Sequence, residues 1–134
     1  MKIVIVLPEK MNPGLLANAA ACIASGLFNG ESNLIGEEIK GHDSHNGCTF
    51  IPITKVPILI MRQNKPFPEL VKRAVKRKLK HMVFTKEAQS TADYSEYIER
   101  VRGKKISEVE IIGIGVVGED ALVDQFAGDL ALLK

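Results

Sequence analysis

The chain is expected to fold as an α/β protein, helices packed around a largely parallel sheet, and three observations predict this. Short runs rich in Val and Ile alternate with segments whose apolar residues recur at helical spacing. The leading run, Lys2-Ile-Val-Ile-Val-Leu7, is apolar at nearly every position, the pattern of a strand covered on both faces. Prolines, glycines and asparagines stand between the segments, where helix ends and turns need them. With 134 residues, 46% of them hydrophobic, residues 1–134 make one domain that can bury a core without metal or disulfide staples.

The elements follow in order. Pro8 closes the first strand. Asn12 and Pro13 are an N-cap and a first-turn proline, and Leu15, Leu16, Ala19, Ala20, Ile23 and Leu27 repeat at helical spacing until Gly30. From Leu34 to Thr54 two short apolar stretches flank Asn46-Gly47, which predicts a hairpin or an elaborated loop. Residues 57–61 read as a second buried strand. Pro66 and Pro68 then introduce a helix with the stripe Leu70, Val71, Ala74, Val75 and Leu79. Residues 82–84 form the next strand and 85–91 a polar turn. Tyr94, Tyr97, Ile98 and Val101 mark a helix stopped by Gly103, and residues 109–117 a strand. A short helix over 119–126 and an apolar segment over 130–133 complete the chain.

Charge excludes some classes of function. Eighteen Lys and Arg against sixteen Asp and Glu leave +2, too little to hold the whole molecule on nucleic acid or a membrane surface. No apolar stretch approaches the roughly 20 residues of a membrane span, and the N-terminal run is too short for a signal peptide. Cys22 and Cys48 lack framework spacing and fit a reducing compartment, so a cytoplasmic location is expected.

Four constellations bear on chemistry. Gly113, Gly115 and Gly118 match G-x-G-x-x-G, but only sixteen residues follow, too few for the βαβ unit and ribose-binding acid of a dinucleotide site. Close packing of strand against helix explains these glycines, and no cofactor is expected. His42, Asp43, His45 and Cys48 offer metal-ligand types within seven residues, yet they sit among ordinary turn residues, and no metal is expected. His81 has no nucleophile or carboxylate beside it and reads as structural. Between Lys65 and Lys80 seven basic residues face one acid, Glu69. Lys72, Lys76 and Lys80 would share one helix row and Arg73 and Arg77 the next, a face for RNA phosphates or simply a solvated surface, since aromatic interleaving is absent.

The fourth constellation comes from topology. Ligands of parallel α/β sheets sit beyond the carboxyl ends of the strands, which would gather Asn12, Asn18, Glu87, Gln89, Ser90, Thr91 and Asp93 near a helix N-terminus able to hold an anion. The alternatives are a solvated row through Asn18, Ser25 and Asn29 and a capping box from Ser90 to Asp93.

The Lys2–Leu7 run, the Met11-Asn-Pro-Gly14 start of an alanine-rich helix, the Glu87-Ala-Gln-Ser-Thr91 turn and the ending from Ile112 to Leu133 resemble the type II peptidyl-tRNA hydrolases. The likeness covers residues 1–29 and 56–134 and is strongest to an uncharacterised branch of that superfamily. It implies a three-layer α/β/α sandwich with a mixed, largely parallel sheet, and it is compatible with a homodimer. The family's acidic residue and threonine fall on Glu87 and Thr91, the candidate catalytic pair. Its lysine falls on Leu15, with the neighbouring residue on Pro13, and its helix glutamine and histidine fall on Ala19 and Cys22, so the cationic half of that site is missing. The expected function is therefore a binder of tRNA or a small anionic ligand in the crevice formed by Asn12, Gly14, Asn18, Gln89 and Ser90, with Lys72, Arg73, Lys76, Arg77 and Lys80 available to nucleic acid. The alternative is peptidyl-tRNA hydrolysis by Glu87 and Thr91.

Overall fold

The computed structural model describes residues 1–37 and 52–134. Among these residues five strands form one mixed sheet in the order β3-β4-β1-β2-β5. They are β1 (Lys2–Leu7), β2 (Ile58–Arg62), β3 (Lys80–Thr85), β4 (Ile111–Gly118) and β5 (Ala131–Leu132). The helices are α1 (Pro13–Phe28), α2 (Phe67–Lys76), the single turn α3 (Lys86–Gln89), α4 (Tyr94–Val101) and α5 (Asp120–Ala127).

The two-faced reading of β1 holds. Ile3, Ile5 and Leu7 pack with Ala19, Ile23 and Leu27 of α1, while Val4 and Val6 pack with Leu70, Ala74 and Phe126 of α2 and α5. Alternation of side chains along a strand sends neighbours to opposite faces, so a strand between two helical layers is apolar throughout. The expected largely parallel sheet is corrected: among the described strands only β1 and β2 run parallel, whereas β4 is antiparallel to both β1 and β3, and β5 to β2. Strands separated by a helix read as parallel, but α3, α4 and the connection after them return the chain alongside β3 in the opposite sense. At the end of that pairing a β-bulge between Phe84 and Thr85 lets consecutive residues Ile112 and Gly113 both face α1.

Several apolar positions lie outside the core. Leu15 is 46% exposed although it shares a row with Ala19, Ile23 and Leu27. A sixteen-residue helix is about 24 Å long and a six-residue strand about 20 Å, so the first turn of α1 overhangs the sheet. Val75 is likewise exposed, and Leu79 reaches the core from beyond the helix.

The end of α2 explains this and revises the cationic row. Leu79 N–H donates to Ala74 O at 3.1 Å and Lys78 N–H to Val75 O at 3.0 Å, a Schellman pair with Lys78 at φ 54°. The helix stops at Lys76, and Lys80 opens β3 instead of extending the row of Lys72 and Lys76. Glycine usually takes the left-handed position because it has no Cβ to clash. Lys78→Gly is expected to stabilise the fold by about 0.5–1 kcal/mol, read as a higher urea midpoint with an unchanged slope.

Arg73 holds α5 to α2. Its guanidinium donates to Asp129 Oδ1 at 2.8 Å, to Oδ2 at 3.0 Å and to Phe126 O at 3.2 Å. The Arg73 hydrogen bond, reinforced by its charge, holds the Asp129 carboxyl below the usual range against the opposing push of partial burial. A carboxylate depressed in the folded state adds stability above its unfolded pKa and loses it as pH falls through the folded value. Asp129→Asn should cost about 0.5–1 kcal/mol at neutral pH, a small figure because the carboxylate is half exposed. The gap from the parent should close in strong acid, and a gap of equal size at pH 3 in urea melts would refute the ion-pair account.

The expected hairpin or loop over 34–54 is described only at its ends. Ile35 bridges Thr54 in antiparallel fashion, with Gly36 N–H donating to Ile53 O and Lys55 N–H to Leu34 O, each at 2.7 Å. His42, Asp43, His45 and Cys48 lie outside the described residues. No helix among the described residues is long and apolar enough to cross a membrane.

Candidate ligand-binding cleft

The segment after β3 is more ordered than a polar turn. Thr85 caps α3, its hydroxyl accepting from Ala88 N–H at 3.3 Å. Asp93, rather than Ser90, caps α4, accepting from Ser95 N–H at 2.9 Å. The Thr91 hydroxyl donates to Glu96 Oε2 at 3.1 Å and accepts from Asp93 N–H at 3.3 Å, while Arg100 donates to the Ser90 hydroxyl at 3.1 Å. This network fixes α4 on its loop, yet none of its residues is buried. The tyrosines of its apolar row, Tyr94 and Tyr97, have ring centroids 5.8 Å apart.

A cleft of about 610 Å³ opens between this segment and α1. Met82 and Phe84 of β3 lie on the sheet face turned toward α1 and form its floor. Cys22, Ser25 and Gly26 of α1 and its C-cap Asn29 make one wall, while Thr91, Asp93, Tyr94 and Tyr97 make the other. Gly26 lets α1 sit against β3, because a Cβ there would come within 2.9 Å of Met82 Cγ. Among the described residues no Lys or Arg lines the cleft, and Asp93 contributes a carboxylate. Cys22 is a free thiol.

Of the expected site residues, only Thr91 and Asp93 line this cleft. Asn12 caps α1, its Oδ1 accepting from Gly14 N–H at 2.9 Å, so one donor of that helix end is already used. Asn18 is exposed on α1. Gln89 does reach the start of α1, its amide donating to Leu15 O at 3.1 Å, so the two segments meet as the topology argument required.

Glu87 is tied to backbone. Its Oε1 accepts from Glu110 N–H at 3.2 Å, clipping α3 to the residue before β4. Partial burial pushes its pKa up, but backbone N–H groups of Glu87 and Glu110, the Thr85 hydroxyl and the Lys104 charge outweigh that and leave it below the usual carboxylate range. An ionised carboxylate held this way is a strut between two elements.

The basic residues are partly committed to structure too. Arg73 pairs with Asp129, Lys80 donates to Asn29 O at 2.7 Å and Glu31 Oε1 at 3.2 Å, and Arg77 folds back onto Arg73 O at 3.2 Å. Lys72, Lys76 and Lys78 are exposed, with no ion pair among the described residues. His81 places Nδ1 3.0 Å from Leu79 O.

Sequence reasoning missed the cleft's α1 wall and aromatic side. The row Asn18, Cys22, Ser25 and Asn29 is visible in the sequence as small or polar residues beside the apolar stripe, and the Tyr94–Tyr97 spacing marks a helix without saying what it faces. The signal lay in combining them: small residues on a long helix leave room, and two tyrosines on a short helix supply a wall.

A family model described as protein of unknown function (DUF2000) matches residues 1–134. Among solved structures, the protein of unknown function Atu0240 from Agrobacterium tumefaciens strain C58 is similar with a TM-score of 0.84 at 17% identity. The match covers 98% of this chain and 96% of that one. At that identity the likeness concerns the fold. No curated protein sequence shows significant similarity to the chain.

Proposed function

The chain belongs to the DUF2000 family, and within that family we propose that it is a non-hydrolytic binding domain whose ligand sits in the cleft between α1 and the Thr91–Tyr97 wall. One observation carries the reading: a cleft of about 610 Å³ with an apolar and aromatic lining, hydrogen-bonding groups at its rim and, among the described residues, no basic side chain. Pockets of this size and make-up suit small organic molecules. The lining charge favours a flat neutral or cationic ligand over the anion expected from the start of α1, because Asp93 repels an anion and nothing in the lining offsets it. The helical layers on both sheet faces support the three-layer, peptidyl-tRNA hydrolase-like reading of the fold.

Titration of ¹⁵N-labelled protein with indole and with phenyl phosphate tests the site. Indole should shift the amides of Gly26, Ala92 and Tyr94, less so in Tyr97→Ala, and phenyl phosphate should shift them less than indole does. Phenyl phosphate acting instead on residues 12–16 would return the site to the start of α1. Peptidyl-tRNA hydrolysis is the second reading, favoured by one observation, that Thr91 stands on the cleft wall.

A further inference from the structure

The backbone register points to a second kind of recognition, outside the small-molecule cleft. In β1 the Ile3 N–H donates to Pro57 O and Leu7 O accepts from Gln63 N–H, each at 2.9 Å, so the peptide groups of Ile3, Ile5 and Leu7 face β2. Those of Lys2, Val4 and Val6 therefore face β4, opposite Gly118, Val116 and Ile114. The intervening Gly113, Gly115 and Val117 turn theirs to β3, opposite Phe84, Met82 and Lys80. That leaves the N–H and C=O groups of His81 and Val83 on the outer edge of the sheet, where no further strand is paired among the described residues.

Charge selects the occupant of this edge. Exposed Lys78 and Lys86 flank β3 at either end; Lys86 Nζ stands 3.8 Å from Glu110 Oε2, a loose, well-exposed pair that an incoming carboxylate can replace. In an antiparallel pairing of two copies centred on Met82, Lys78 of one copy would stand beside Lys86 of the other, an arrangement that like charges disfavour. We propose that the outer edge of β3 is a strand-addition site for an extended peptide with apolar or β-branched residues at its centre and acidic residues at its ends. The peptide groups of His81 and Val83 supply the ladder, and the two lysines receive the acidic ends whichever way the strand runs. The proposal rests on backbone register and not on occupancy of the cleft, so it can fail while the small-molecule reading stands, and the reverse.

The probe is a fluorescein-labelled peptide, Glu-Val-Thr-Val-Thr-Val-Glu, followed by anisotropy on the full chain. Saturable binding is expected, weaker by about tenfold in His81→Pro, which removes an outward N–H that the sheet does not use. Alternate N-methylation of the peptide should have a similar effect on the unmodified protein, which covers the case of a misfolded proline variant. The same peptide with Lys ends should bind less tightly. Equal binding by N-methylated and unmodified peptides, or by Lys-ended and Glu-ended ones, would overturn the proposal. So would a concentration-dependent dimer in sedimentation that His81→Pro abolishes, since a second copy would then occupy the edge.

Discussion

Peptidyl-tRNA incubated with the purified protein is expected to be cleaved, if at all, at least about 10²–10³-fold more slowly than by a type II peptidyl-tRNA hydrolase assayed beside it, since the loss of one oxyanion contact alone costs that much. Where the resemblance calls for an amine, Leu15 presents a half-exposed isobutyl group that cannot stabilise an oxyanion. Glu87 holds the Glu110 N–H, which takes one carboxylate oxygen from any role in positioning water. Leu15→Lys alone should not restore the rate. Pro13 and Cys22 also depart from the hydrolases' pattern, and Ala19 is fully buried against the sheet, where a glutamine amide would lack both room and partners. Full activity in the unmodified protein, abolished by Glu87→Gln or Thr91→Ala, would replace the binding reading with the enzyme.

Gly115→Ala should destabilise the fold by roughly 2–3 kcal/mol, a drop of about 5–10 °C in the thermal midpoint. An added Cβ would overlap Ile23 Cγ2 and lie 2.9 Å from Leu27 Cδ1. Both neighbours are buried with no exposed surface, so neither can swing aside without moving α1 off β4. Gly14→Ala is the control: its Cβ would meet only Asn12 Oδ1 at 3.5 Å on an exposed helix turn, and a gain of about 0.5–1 kcal/mol is expected. Calorimetry of the two variants side by side decides between a packing role for Gly115 and a merely permissive one; equal midpoints would refute the packing account.

That glycine pair also shows how far a linear reading reached. The G-x-G-x-x-G spacing was assigned to close backbone approach between strand and helix, and Gly113 and Gly115 do admit a helix. The helix is α1, though, almost a hundred residues earlier, and not the one that follows. Spacing reveals that something must come close; only the fold names the neighbour.

Local chemistry was legible from the sequence alone wherever one residue type answers one local need. Asn12 and Pro13 begin α1, Gly103 takes a positive φ beyond α4, and the uniformly apolar β1 lies between two helical layers. Periodicity likewise placed four of the five described strands and four of the five described helices, while β5 was visible only as an apolar segment. Tertiary structure decided what depends on distant segments. Strand direction was one such matter, because nothing in a strand's own residues states which neighbour it pairs with. The ends of the apolar stripes were another, since Leu15 overhangs the sheet and Val75 lies past the last covered turn. The cleft was the third. Its walls come from α1, β3 and α4, and each contributes residues ordinary in its own element. The recess exists because small side chains on α1 face a short, half-covered helix across the edge of the sheet, a condition set by packing between segments roughly seventy residues apart and by no single stretch of chain.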